Sequence, residues 1–377
     1  MASHSVLVFP AGMPDALTWA RHASKNGIRI VGASSLANDP ARPSYSEWAV
    51  LPWIGERDFP TVLGCCLTER GIQTIFTAHP VVWSLLRELL PKVSPDVSLV
   101  PVEPWAADLA DYRAYRDIAE RFNSHALRLA ASGDHAPLMS LPKLAALVRM
   151  FHLTPGQCND NKLEAMVGIF RHMPKGDVVE IGALWGRSAV ALAFLARHYR
   201  IGNLLCVDPW RKEDLRQGIP QLDAVFGDAP MEEIFEAFRV NLASFVGQTN
   251  YSRASSKAAA EIYGSERSFT TEDFGRTDYA GEIALLHIDG NHALEAVRSD
   301  IRAWQRFVRP GGWFVFDDYR WSFGKGVTIA ADEFLDEAGD SLASAFVAGE
   351  ALFVQTDAGW AIANRDPHKS GCSSPSL

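Results

Sequence analysis

The stretch Val178-Val179-Glu180-Ile181-Gly182-Ala183-Leu184-Trp185-Gly186-Arg187-Ser188 decides the fold of the second half of the chain. An apolar run ends at a glycine, a second glycine follows four residues later, and a helix-compatible segment starts at Ser188. Glycines in such a strand-to-helix turn let the backbone approach a ligand closely, and the helix start offers unpaired N–H groups. The spacing is G-x-x-x-G, not the G-x-G-x-x-G of dinucleotide sites. Leu204 to Val207 then reads as a second strand, ending in Asp208. A carboxylate at that strand end can accept both hydroxyls of a ribose.

Two later segments repeat the pattern of a strand that ends in polar residues. Leu286-His287-Ile288-Asp289-Gly290-Asn291-His292 leads into Asp289, with His292 three residues on. Arg309-Pro310-Gly311-Gly312-Trp313-Phe314-Val315-Phe316-Asp317-Asp318-Tyr319 turns at proline and glycine, then runs into two adjacent carboxylates. Open α/β sheets place their sites at such carboxyl ends. Three carboxylates converging there would suit a hard cation such as Mg²⁺, which prefers oxygen ligands.

The set E-x-G-x-x-x-G-x-S, C-V-D-P-W, H-I-D-G-N-H and F-D-D-Y resembles class I S-adenosylmethionine (SAM)-dependent methyltransferases. Within them it is most similar to the macrocin-type sugar O-methyltransferases and their cephalosporin-hydroxylase-like relatives. The resemblance spans about Lys175 to Arg365. It implies that Gly182 and Gly186 border the methionine and ribose of SAM, that Asp208 holds the ribose hydroxyls, and that Ser188 meets the methionine carboxylate. Glu180 is counted with these cofactor-binding residues, and Ser255 or Ser256 falls near the adenine. It further implies Asp289, Asp317 and Asp318 as ligands of Mg²⁺ or another divalent cation, and His292 as general base. A bound cation would lower the pKa of a sugar-type hydroxyl, and a neutral imidazole would take its proton.

The same residues have plainer readings. Gly182 and Gly186 also suit a bare tight turn, the three aspartates suit helix caps or solvated loop ends, and His292 suits a helix start. His287, alternating with Ile288, reads as structural. Trp185 suits the core or a cover over the cofactor, and Tyr319, Arg320 and Trp321 suit a substrate pocket or ordinary packing. Two other functions stay open: a metal-dependent hydroxylase-like enzyme on this fold, and a non-catalytic SAM-binding or assembly module. So does methylation at nitrogen or carbon.

Upstream, Ser5–Phe9, Arg29–Gly32, Ile72–Phe76 and Val97–Pro101 read as strands separated by helices at Asp15–Lys25, Phe59–Arg70 and Val81–Leu90. Strand–helix alternation predicts a parallel, doubly wound sheet. Val6–Gly12, Ala33-Ser34 and Phe76–His79 loosely resemble the small domain that precedes ATP-grasp modules, without such a module behind it. From Pro104 to Met173 the pattern turns helical: Ala106–Ala131, broken at Ser132-Gly133-Asp134, then Leu141–Phe151 and Asn161–His172, with Asp160 as N-cap. The expected organisation is α/β throughout. A Rossmann-like domain over 1–104 leads through a helical connector at 105–174 to a Rossmann-like class I methyltransferase sheet at 175–366. A disordered tail over 367–377 ends the chain.

Composition narrows the partners. The 377 residues are 47% hydrophobic and 21% charged, which suits a folded globular chain. The net charge of −9, without a dense Lys/Arg run, disfavours nucleic acid. Five cysteines without a C-x-x-C pair point to reduced thiols in the cytoplasm. No signal-peptide pattern and no apolar run of membrane-spanning length is found, so no membrane partner is expected. The expected partner is a small hydroxylated molecule, and the resembled family suggests a homo-oligomer.

Overall fold

The computed structural model describes residues 4–100, 102–124, 135–217 and 219–360. The chain divides into two compact units, Met1–Ala114 and Tyr115–Leu377.

In the first unit the elements run β1 (Ser5–Val8), α1 (Pro14–Lys25), β2 (Arg29–Ser34), β3 (Glu47–Val50), α2 (Phe59–Glu69), β4 (Thr74–Phe76), α3 (Pro80–Val93) and β5 (Ser98–Leu99). The five strands form one parallel sheet in the order β3-β2-β1-β4-β5. Leu7, Val31 and Ile75 are fully buried, as expected for parallel strands covered on both faces. The sequence reading misses β3, whose short EWAV run carries a charge and lies half-buried at the sheet edge.

Helix α4 (Pro104–Ser124) runs across the division between the units. Of the helix expected over 106–131, residues 125–131 lie outside the described residues. So do the break at 132–134, the tail, and all but the first residue of Trp360–Ala363, an apolar segment that reads as a strand in the sequence.

The second unit continues with α5 (Leu141–Leu153), α6 (Asp160–Phe170), β6 (Asp177–Ile181), α7 (Arg187–Tyr199), β7 (Leu204–Val207), α8 (Pro220–Gly227), α9 (Met231–Leu242), β8 (Thr249–Ser252) and α10 (Ser256–Ser265). It ends with β9 (Ser268–Thr271), β10 (Gly275–Asp278), β11 (Ile283–Ile288), α11 (Leu294–Trp304), β12 (Val308–Phe316), α12 (Gly326–Ala338), β13 (Leu342–Ala348) and β14 (Ala351–Thr356). Seven strands pair in the order β13-β14-β12-β11-β6-β7-β8. The strands from β12 to β8 are parallel, and β14 is antiparallel to both β12 and β13. Helices α5, α6, α7 and α9 contribute to the core on one face. Helices α10, α11 and α12 fill the other. This is the class I methyltransferase arrangement, and the expected two-sheet architecture is the observed one. No helix among the described residues is long and apolar enough to cross a membrane.

Three details correct the sequence reading. Asn159, not Asp160, caps α6: its side chain accepts from the Lys162 N–H at 3.1 Å, while Asp160 is the first helical residue and pairs with His152 at 2.8 Å. The hairpin of β9 and β10 was not anticipated, nor was β13. That strand pairs with β14, but its mixed exposure and small residues leave only a weak apolar alternation.

Candidate active site

Strand β6 carries Glu180 into the middle of the sheet and delivers Gly182 to its carboxyl end. Gly182 sits at φ +82°, and a Cβ there would stand 2.0 Å from the Asp289 carbonyl oxygen. Only glycine lets the ends of β6 and β11 approach this closely. These two strands flank the point where the winding reverses, which is where open α/β sheets form their ligand crevice.

Asp208, at the end of β7, shapes the glycine turn. Its buried carboxylate accepts N–H groups from Ala183 (3.0 Å), Leu184 (2.9 Å) and Trp210 (2.7 Å). Burial pushes its pKa up, and these three bonds oppose that shift. Gly186 is the N-cap of α7, and Ser188 lies buried in its first turn. Arg187 between them donates to the carbonyls of Thr154 (2.7 Å) and Cys158 (3.2 Å), tying the segment ahead of α6 to the start of α7. It also lines an open cavity of about 730 Å³ together with His152, Cys158 and Asn159. Ser255 caps α10, just beyond β8. Glu180 is fully buried within the sheet. One of its oxygens meets His287 Nδ1 at 3.0 Å, and the other accepts from the Cys206 thiol at 3.7 Å.

The acidic residues gather where β11 and β12 end. Asp289 is the hub, with two groups of ligand atoms around it that each lie within 4.8 Å of one another. One group is His287, Asp289 and Asp317; the other is Asp289, His292 and Asp318. His292 Nε2 lies 3.3 Å from Asp318 Oδ2, while its Nδ1 is buried without a hydrogen-bond partner among the described residues. The ring stands edge-on to Trp321 at 4.5 Å. Burial lowers the His292 pKa, which favours the neutral imidazole. Burial and the neighbouring Asp317 push the Asp318 carboxyl up to about 6. The same two causes raise Asp289 well above the usual carboxylate range.

Asp317 behaves differently, for a reason the sequence reading missed. The ammonium of Lys162, from α6, forms an ion pair with Asp317 Oδ2 and lies 3.9 Å from Asp289 Oδ2. Burial works against the ionised Asp317 carboxylate, but Lys162 and then His287 hold its pKa below the usual range. Lys162 is 1% exposed, and Asp317 and its neighbours raise the pKa of its ammonium against the effect of burial. The signal was available: in Asp160–Phe170, Lys162 shares a helical stripe with Met166 and Ile169, a core position that seldom holds an unpaired charge.

Residues 179–319 match the family model described as a methyltransferase domain. No curated protein matches the chain. Among solved structures, the chain is similar to the O-methyltransferase NovP, at 17% identity and TM-score 0.39 over 52% of this chain and 79% of that one. It is similar to the calicheamicin methyltransferase CalS11 at 16% identity and TM-score 0.38, over 68% and 94%. It is also similar to MycE of the mycinamycin biosynthetic pathway, solved with Mg, SAH and mycinamycin VI, at 16% identity and TM-score 0.29 over 48% and 45%. The methyltransferase match spans β6 to the end of β12, where the glycine turn and the acidic cluster lie, so this part of the chain matches a methyltransferase domain and sits on a Rossmann-like class I sheet.

Proposed function

We propose that the enzyme methylates a hydroxyl oxygen of a small molecule, a sugar or a glycosylated metabolite, with a divalent cation assisting. The observation that carries this reading is the cluster of Asp289, His292 and Asp318 beside Gly182, at the reversal point of the sheet.

SAM supplies an electrophilic methyl group. The turn from Gly182 to Gly186, braced by Asp208, borders the cofactor's methionine and ribose, and Ser188 lies at the start of α7, where its carboxylate is expected. His292 is the proton acceptor. Asp318 accepts from its Nε2, which leaves the lone pair on Nδ1 for the substrate hydroxyl. Trp321 packs edge-on against the ring and helps hold it in place.

The donor set fits a hard cation. Burial and the neighbouring Asp317 push the Asp289 carboxyl upward, the crowding of acidic groups that a bound cation would relieve. Asp289 and Asp318, with Asp317 beside them, would hold it. Such an ion lowers the pKa of a bound hydroxyl and fixes its direction.

Titration of SAM into the purified protein, followed by transfer of labelled methyl to a panel of hydroxylated small molecules, tests the reading. Binding of SAM and transfer to oxygen that stops in chelator and returns with Mg²⁺ is expected. Transfer that continues unchanged in chelator removes the cation from the mechanism. Transfer only to nitrogen or carbon overturns the acceptor.

A further inference from the structure

Three features fix the position of Lys162. Asn159 caps α6 through the Lys162 N–H and sends its own amide to the Gly349 carbonyl at 3.3 Å. Gly349, at φ +56° in the turn between β13 and β14, packs so closely that a Cβ would meet the Lys162 nitrogen at 2.4 Å. Beyond Lys162, Leu163, Met166 and Phe170 anchor the helix in the core. The side chain therefore leaves a rigid helix start and ends at Asp317. Its ammonium is closed to solvent and, among the described residues, has no hydrogen-bond partner outside the acidic cluster. A buried charge held in this way persists only where an opposite charge compensates it.

Asp317 and Asp318 are adjacent in sequence yet serve different neighbours. Asp317 faces Lys162 and His287, whereas Asp318 faces His292. Asp289 lies between them. Accepting the cation-assisted reading above, we propose that Lys162 is the resident cation of this site, neutralising Asp317 so that Asp289 and Asp318 remain as the carboxylates open to a divalent ion. Lys162 is thus a positioning residue. It lets the acidic cluster fold without metal, and its positive charge, 3.9 Å from Asp289, weakens the hold on any divalent ion that enters. The metal then exchanges readily.

The test uses Mn²⁺ alone as probe, with the full chain, Lys162→Met and the neutral pair Lys162→Met/Asp317→Asn. Bound Mn²⁺ is counted by electron paramagnetic resonance, and melting is followed in chelator and in Mn²⁺. Removing a like charge this close should tighten Mn²⁺ binding by about tenfold or more in Lys162→Met. In chelator that variant should melt below the parent, and Mn²⁺ should raise its melting temperature by more than it raises the parent's. The neutral pair should melt closer to the parent in chelator and keep weak Mn²⁺ binding. It also serves as the folded reference if Lys162→Met folds only with Mn²⁺, which is the behaviour expected of a site that has lost its resident cation. Mn²⁺ bound by the parent but no more tightly by Lys162→Met overturns the proposal and leaves the cation-assisted reading standing. Mn²⁺ bound by none of the three proteins overturns both.

Discussion

The two sheets of this chain are wound alike and filled differently. The first buries Ser5, Ser34 and Thr77 among its described residues, but no acid, base or histidine. The second buries Lys162, Asp177, Glu180, Asp208, His287 and Asp300. A parallel sheet needs none of these charges to fold, as the first unit demonstrates. Burying an ionisable group costs stability unless a partner compensates it. In the second unit such partners are present: Glu180 with His287, Lys162 with Asp317, Asp208 with three backbone amides. Lys162, Asp208 and His287 surround the strand ends that carry the site, so the fold supplies a platform and the buried charges mark where it is used.

The largest expected effect separates the units by chemistry. His292→Ala should lower kcat by about 10²–10⁴-fold, the usual contribution of a general base, with SAM affinity little changed. His79→Ala in the first unit, where His79 merely caps α3, should leave kcat within about twofold, since loss of a helix cap affects stability rather than chemistry. Steady-state kinetics with titrated SAM checks both. Comparable losses from the two variants would mean that the first unit takes part in the reaction.

The next contrast is between two turn glycines. Gly182→Ala places a methyl group against the Asp289 backbone at a positive φ and should destabilise the second unit by roughly 3 kcal/mol or more, with loss of SAM binding. Gly12→Ala in the first unit meets the Asp39 carboxylate at 3.2 Å, a flexible side chain, and should cost less than about 1 kcal/mol. Denaturant melts measure the difference. An equal cost at both positions would show that the close approach at Gly182 relaxes.

Much of this was legible in the sequence. Apolar runs ending in glycine or aspartate marked β6, β7, β11 and β12, because strands buried on both faces read as continuous hydrophobic segments. The elements that escaped were β3 and β13, where partial exposure dilutes that signal, the β9–β10 hairpin, and α8, which lies in a stretch from Pro209 to about Pro230 that reads as a polar insertion. At the site, proximity along the chain exposed the pair Asp317-Asp318 but misjudged its unity. Neighbouring residues at a strand end point in different directions, and only the folded helix α6 shows that Lys162, more than 150 positions earlier, claims one of the two. Glu180 was read as a cofactor-binding residue, and its pairing across the sheet escaped for the same reason. Its partners His287 and Cys206 come from the adjacent strands, at positions in register with it. Local pattern reports which face is buried; it does not report which polar groups meet across strands.

The smallest expected effect concerns Asp300, a buried carboxylate on α11. Burial pushes its carboxyl up to about 6, a shift that a hydrogen bond from Ser256 only partly offsets. In the unfolded chain the same group titrates near the ordinary aspartate value of about 3.9. Between those values the folded state binds more protons than the unfolded state. Stability therefore falls as pH rises from about 4 to about 6, and the full penalty persists at neutral pH. Asp300→Asn keeps the shape and removes the charge. It should gain on the order of 1–3 kcal/mol at pH 7, gain little near pH 4, and flatten the pH dependence between them. Melts of the two proteins across that range decide it. If Asp300→Asn is no more stable at pH 7, the burial of Asp300 is already compensated in the folded protein. The contrast between an uncharged first sheet and a charged second one would then carry no stability cost at this position.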